Sequence, residues 1–119
     1  MTVQTLKGNR INAENMLILK QSFIDAKFSP DTLTTDVAQT GQFMRHDYRY
    51  PDLIIGESRV SLVFNRYRDL RTKKVMRDTF VVFKDGKPCP VDRDNDPLLK
   101  SERAKLIQRI RKDIKILEG

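Results

Sequence analysis

The chain has 119 residues, enough for one modest hydrophobic core and too few for two, so we expect a single domain over residues 1–119. Hydrophobic residues make up 39% and charged residues 33%, a balance that predicts a folded protein and excludes a disordered one. The formal charge of +7 favours a polyanion or an acidic protein surface as partner.

The first predicted element is a helix over residues 12–28, NAENMLILKQSFIDAKF. Asn12 suits the N-cap, and an apolar stripe follows at helical spacing. The stripe consists of Met16, Leu19, Phe23 and Ala26, flanked by Leu17, Ile24 and Phe28. Its width predicts a helix buried over most of its circumference. TVQTL (residues 2–6) could form a short strand, and SPDTLTTDVAQTG (residues 29–41) could form one short helix after its Ser-Pro start.

Residues 43–91 alternate with a period of two, which predicts antiparallel strands. The apolar runs LII, VSLVF and TFVVF are separated by Gly56-Glu57-Ser58 and by the basic stretch RYRDLRTKKVMR, and Asp85-Gly86 then marks a hairpin turn. The pattern predicts a meander of three or four strands. Any strand around Pro88 and Pro90 should lie at a sheet edge, because proline cannot donate a hydrogen bond to a neighbouring strand.

The last predicted element is a helix over residues 97–117, with Asp96 as its cap and Pro97 at its first position. Its apolar stripe consists of Leu99, Leu106, Ile110 and Leu117, flanked by Ile107 and Ile114. Its opposite face is basic and forms a secondary candidate surface: Lys105, Arg111, Lys112 and Lys115. The expected fold class is therefore α+β, with an N-terminal helix and a long basic C-terminal helix on a three- or four-stranded antiparallel meander.

Positive charge is concentrated between two apolar runs. If Phe64 faces Phe80 and Leu62 faces Val82, the basic stretch becomes the outer half of a hairpin with its turn at residues 71–73. Arg66 then faces Asp78, and Tyr67 faces Arg77. The cations of this arm are Arg66, Arg68, Arg71, Lys73, Lys74 and Arg77, opposed locally only by Asp69 and Asp78. The tip lacks the Gly or Asn of a tight turn, which favours a mobile loop.

Two interpretations of the arm stay open. It can be a solvated hairpin end, charged to discourage aggregation, in which Arg66 and Asp78 form a cross-strand pair. It can also be a phosphate-binding surface, because cations this dense repel one another unless an anion is near.

The stretch RHDYRYP, residues 45–51, mixes aromatic and cationic side chains. Tyr48 and Tyr50 alternate with Arg45 and Arg49, a mixture typical of surfaces that stack bases and hold phosphates. The two tyrosines also share one face of a strand, and covering the core is the simpler interpretation of them.

These patterns predict a small basic protein that binds nucleic acid without catalysis and without a cofactor. RNA or single-stranded DNA is preferred, because no helix-turn-helix or zinc signature offers a reader of the major groove. The alternative is a small regulator or inhibitor that docks its basic surface on an acidic protein partner, such as a component of a nucleic-acid-processing complex.

Signatures of enzymes are weak. Asp52 and Glu57 resemble the carboxylate pair of a metal-dependent nuclease, but Arg59 stands where a lysine is needed, so a nuclease is the least favoured function. His46 is the single histidine, which excludes a site with several imidazoles. It is a candidate general base or, more simply, a surface histidine.

A calcium loop is also rejected. The segment DRDND, residues 92–96, is followed by Pro97 and Arg103 at the positions where such a loop needs glycine and glutamate, so these aspartates better serve as a helix cap. We expect no metal site.

Cys89 is the single cysteine, and the N-terminal segment is too charged for a signal or membrane segment, so we expect a cytoplasmic protein with no membrane partner. The oligomeric state stays open.

Overall fold

A computed structural model describes residues 5–92 and 95–119 of the chain. The elements in chain order are α1 (Ala13–Ala26), a 3₁₀ turn (Pro30–Thr32), β1 (Thr34–Thr40), β2 (Phe43–Arg49), β3 (Leu53–Ile55), β4 (Ser58–Asp69), β5 (Val75–Lys84), β6 (Lys87–Cys89) and α2 (Pro97–Glu118). The predicted α+β class is confirmed. The predicted strand count is wrong, because the described residues form six strands instead of three or four.

The strands form one antiparallel sheet in the order β1-β2-β4-β5-β6. The long strand β4 is central, and it pairs with β2 along one half and with the short strand β3 along the other. β6 contains Pro88 and pairs only with the last part of β5, so the prediction of an edge position for this segment is confirmed.

β1 is the strand that the sequence did not predict. Its sequence TTDVAQT shows no apolar alternation because six of its seven residues are exposed. Its threonines and valine favour an extended backbone, and it pairs with β2 along its whole length. The short helix predicted for this region is reduced to the 3₁₀ turn at Pro30–Thr32. The strand predicted for TVQTL falls largely on residues 1–4, outside the described residues.

Both helices pack on one face of the sheet, and their predicted caps are confirmed. Asn12 accepts a hydrogen bond from the backbone N–H of Asn15 at 2.9 Å, and Asp96 accepts one from that of Leu98, also at 2.9 Å. Leu17, which was assigned to the flank of the apolar stripe, is exposed instead. The core lies between the helices and the sheet and includes Met16, Leu19, Val60, Leu62, Phe64, Phe80, Val82, Leu106 and Ile110.

The opposite face of the sheet points away from both helices. Because side chains alternate along β4, Val63, Asn65 and Tyr67 lie on this side, which we call the open face. The pairing places Phe43 and Arg45 of β2 on the same face. Neither described helix is long and apolar enough to cross a membrane.

Candidate nucleic-acid interface

The hairpin of β4 and β5 has the predicted register, so this prediction is confirmed. The predicted pairs that form are Leu62–Val82, Phe64–Phe80, Arg66–Asp78 and Tyr67–Arg77. Beyond Tyr67 the register shifts, and Arg68 pairs with Val75. Met76 is therefore an additional residue on β5, a β-bulge that bends the strand and re-aims its side chains.

The tip of this hairpin is a turn held by Asp69. The carboxylate of Asp69 accepts hydrogen bonds from the backbone N–H groups of Arg71 and Thr72, each at 2.8 Å. Its backbone carbonyl accepts from Lys73 N–H at 2.8 Å, and its own N–H donates to the carbonyl of Lys74 at 2.9 Å. These bonds to the carboxylate lower the pKa of Asp69. Where a mobile loop was predicted, the structure has a hydrogen-bonded turn.

Asp78 binds one arginine of the predicted arm and one of the secondary basic face on α2. Arg66 donates two hydrogen bonds to the Asp78 carboxylate, at 3.0 and 3.1 Å, and Arg111 of α2 donates a third at 2.9 Å. The Asp78 side chain is only 2% exposed. Burial alone would raise its pKa, but the bonds from Arg66 and Arg111 outweigh burial and lower it. Arg66 therefore joins β4 to β5, and Arg111 attaches α2 to the same carboxylate.

Tyr48 of β2 and Tyr50, which follows this strand, belong to the core. Tyr48 is 2% exposed and Tyr50 is 7% exposed, so neither ring offers a free face to a base. The hydroxyl of Tyr48 donates to Glu118, and that of Tyr50 donates to Asp113 at 2.5 Å. Burial, followed by the bond to Glu118, raises the pKa of Tyr48 to about 12. We therefore leave both tyrosines out of the candidate interface.

Three more of the predicted cations have acidic neighbours. Arg45 lies 3.0 Å from the carboxylate of Asp47, and Arg49 lies 3.7 Å from that of Asp36. Arg68 lies 3.7 Å from the carboxylate of Glu118 at the end of α2. Within the arm itself, Arg66 and Arg68 thus have acidic partners, Asp78 and Glu118.

Four cations of the arm remain, and we call them the tip cations: Arg71, Lys73, Lys74 and Arg77. All four are exposed, and none forms an ion pair with an acidic residue within residues 5–92 or 95–119. The guanidinium carbon of Arg77 lies 4.6 Å from the centre of the Tyr67 ring, over the open face. The tip therefore concentrates four positive charges, and Asp69 is the one unpaired carboxylate beside them in the described part of the chain.

Beside the tip cations lies an aromatic groove on the open face. Phe43 and Tyr67 pack edge to face with their ring centres 6.3 Å apart. Together with Met76 and Arg77 they line an open groove of about 340 Å³, which we call the tip groove. The predicted pairing of Tyr67 with Arg77 indicated two of the residues that line this groove. Sequence reasoning missed Phe43 and Met76, because it did not determine the pairing of β2 with β4 or the bulge.

The secondary basic face on α2 is only partly free. Lys105 lies 3.2 Å from Glu102, and Arg111 is bound to Asp78. Lys112 and Lys115 are exposed and have no acidic partner in the described part of the chain.

The residues considered for catalysis do not form a cluster. Asp52 accepts a hydrogen bond from the Ser61 hydroxyl at 2.7 Å, and Glu57 is exposed in the turn between β3 and β4. His46 stacks on the buried Tyr48 with ring centres 6.3 Å apart. Among residues 5–92 and 95–119, no three His, Cys, Asp or Glu side chains form a group able to hold a metal ion.

Comparisons of the chain with protein-family models, with curated proteins and with solved structures find no match.

Proposed function

We propose that this protein binds single-stranded nucleic acid, without catalysis, through the tip cations and the tip groove. The observation that carries the proposal is the contrast within one hairpin. Arg66 is bound to a buried carboxylate, whereas Arg71, Lys73, Lys74 and Arg77 are exposed and have no acidic partner among the described residues. Phosphates supply the missing negative charge at the spacing of a polynucleotide backbone.

The tip groove supports a single strand over a duplex. Phe43 is exposed, Tyr67 is half-buried, and both lie on the open face within the same hairpin end as the tip cations. An aromatic ring on a sheet stacks on an unpaired base, which contributes about 1–3 kcal/mol per base, and a duplex does not offer such a base. Arg77 over the Tyr67 ring can contact either a phosphate or a base plane.

Salt dependence tests the proposal. In the variant Arg71→Ala/Lys73→Ala/Lys74→Ala, folding should be nearly intact because all three side chains are exposed. Affinity for a generic single-stranded oligonucleotide should fall. The slope of log affinity against log salt should lose about 0.7 per phosphate contact, or about 2 in all, measured by fluorescence anisotropy.

A matched control removes the same charge elsewhere. Lys27, Lys87 and Lys100 are exposed, lie on three different elements or their ends, and have no acidic partner among the described residues. Lys20 is not suitable for such a control variant. Its ammonium lies 2.5 Å from the carboxylate of the buried Glu102, so removing it would also affect the fold. Equal slopes for the two triple variants would indicate only a diffuse field. No salt-sensitive binding by the wild type would overturn the proposal and make an acidic protein surface the partner of the tip cations.

A further inference from the structure

The two edges of the sheet differ in how they are protected against pairing with another strand. β6 has three residues and contains Pro88, two features that discourage such pairing. β1 has seven residues, with no proline, no lysine and no bulge in its pairing with β2. No strand in the described part of the chain pairs with the outer side of β1. β1 is therefore an open template for another strand.

We propose that β1 pairs antiparallel with β1 of a second copy of this chain, about a two-fold axis at Val37. This register pairs all seven residues of both strands. The opposite residues are Thr34 and Thr40, Thr35 and Gln39, Asp36 and Ala38, and Val37 with itself. A two-fold interface pairs the same surface of both copies, so that surface must be self-complementary. β1 meets this condition, because no two like charges lie opposite each other in this register.

The side chains of β1 explain why this register is favoured. Val37 is 58% exposed, and at the two-fold axis it packs against its own equivalent. Asp36 is the single charged residue of the strand and faces the small, neutral Ala38 of the second copy. A register centred on Asp36 would instead place two carboxylates opposite each other, which is destabilising.

The geometry has two consequences. A contact made by one seven-residue strand from each copy buries an area at the low end of the range for protein interfaces. The dimer should therefore dissociate on dilution. Because each residue lies opposite a residue of the same sheet face, the two open faces lie on the same side of one continuous sheet. This inference does not depend on nucleic-acid binding.

Sedimentation equilibrium of the full chain tests the dimer. Over a roughly hundredfold range of concentration, the average mass should rise from 13.9 kDa toward twice that value. Val37→Lys places two ammonium groups opposite each other and should weaken association by about tenfold or more. The matched control Ile54→Lys alters a side chain that is 63% exposed on another strand and should leave association unchanged.

Two gain-of-function variants test the register itself. Ala38→Lys faces Asp36 of the second copy at two symmetric positions and should tighten the dimer several-fold. Val37→Cys places two thiols opposite each other, so mild oxidation should give a disulfide-linked dimer, while Ile54→Cys should not. Cys89 is buried and does not compete. A wild type that stays monomeric throughout would overturn the proposal. So would a Val37→Lys variant that associates as strongly as the wild type.

Discussion

At the scale of single residues, the contacts of Asp78 distinguish cations that hold the fold together from cations that are free to bind a partner. The sequence placed Arg66 opposite Asp78, because the hairpin register follows from two facing apolar runs. It gave no sign that Arg111, 33 residues further along the chain, binds the same carboxylate. Counting charges along the arm therefore overstated how many of them a phosphate can reach. Burial, which depends on the tertiary fold, decides which cations are free.

Asp78→Ala should be strongly destabilising. It leaves Arg66, whose side chain is only 13% exposed, without its carboxylate, and removing one partner of such a buried pair typically costs about 3 kcal/mol. Urea denaturation measures the loss in the free energy of unfolding. The double variant Arg66→Ala/Asp78→Ala should recover part of it, because no buried charge is then left unpaired: the side chain of Arg111, the other partner of Asp78, is 45% exposed and can be solvated by water. A loss below about 0.5 kcal/mol in the single variant would contradict this role for Asp78.

The lowered pKa of Asp78 also predicts a pH dependence. A carboxyl whose pKa is lower in the folded state than its ordinary value of 3.8 stabilises the fold above that value. This contribution is lost as the pH falls from 3.8 through the pKa of the folded state. The free energy of unfolding should therefore decrease on acidification across this range, and less steeply in Asp78→Asn than in the wild type. Parallel curves for the two proteins would contradict the prediction.

At the scale of elements, burial determines what could be predicted. α2 was predicted almost to its last residue, because one face is buried and leaves a helical period in the sequence. The register of β4 and β5 was predicted for the same reason, and their turn connects neighbouring segments. β1 is exposed on both faces and therefore has no periodic pattern. The pairing of β2 with β4 passes over β3, which lies between them in the chain, and local patterns do not specify such a pairing.

Substitutions on α2 test whether the predicted stripe holds it on the domain. Leu106 and Ile110 are fully buried, so Leu106→Ala or Ile110→Ala should lower the free energy of unfolding by about 2–5 kcal/mol. Lys112→Ala, on the exposed face of the same helix, should change it by less than about 0.5 kcal/mol. Thermal or urea denaturation compares the three. Small, equal effects would mean that α2 is not packed as described.

At the scale of the whole molecule, the net charge of +7 is a poor guide to where a partner binds. Much of the positive charge holds elements together: Arg66 and Arg111 bind Asp78, and Lys20 bridges the two helices through Glu102. The free charge at the hairpin tip was predictable, because a hairpin is local. The aromatic groove beside it was not, because it needs Phe43 from β2, which the fold brings to Tyr67.

Together, the two proposals predict how binding depends on oligonucleotide length. In the two-fold pair, both open faces lie on one side, so one long strand can contact both tips, whereas a short one contacts a single tip. Linked contacts raise affinity through effective concentration, so affinity should rise in a step once the oligonucleotide spans both tips. Fluorescence anisotropy with oligonucleotides of increasing length measures the step. Val37→Lys should abolish it and leave the affinity for short oligonucleotides unchanged, since Val37 lies outside the tip groove. A step that persists in this variant would mean that a single copy supplies both contacts.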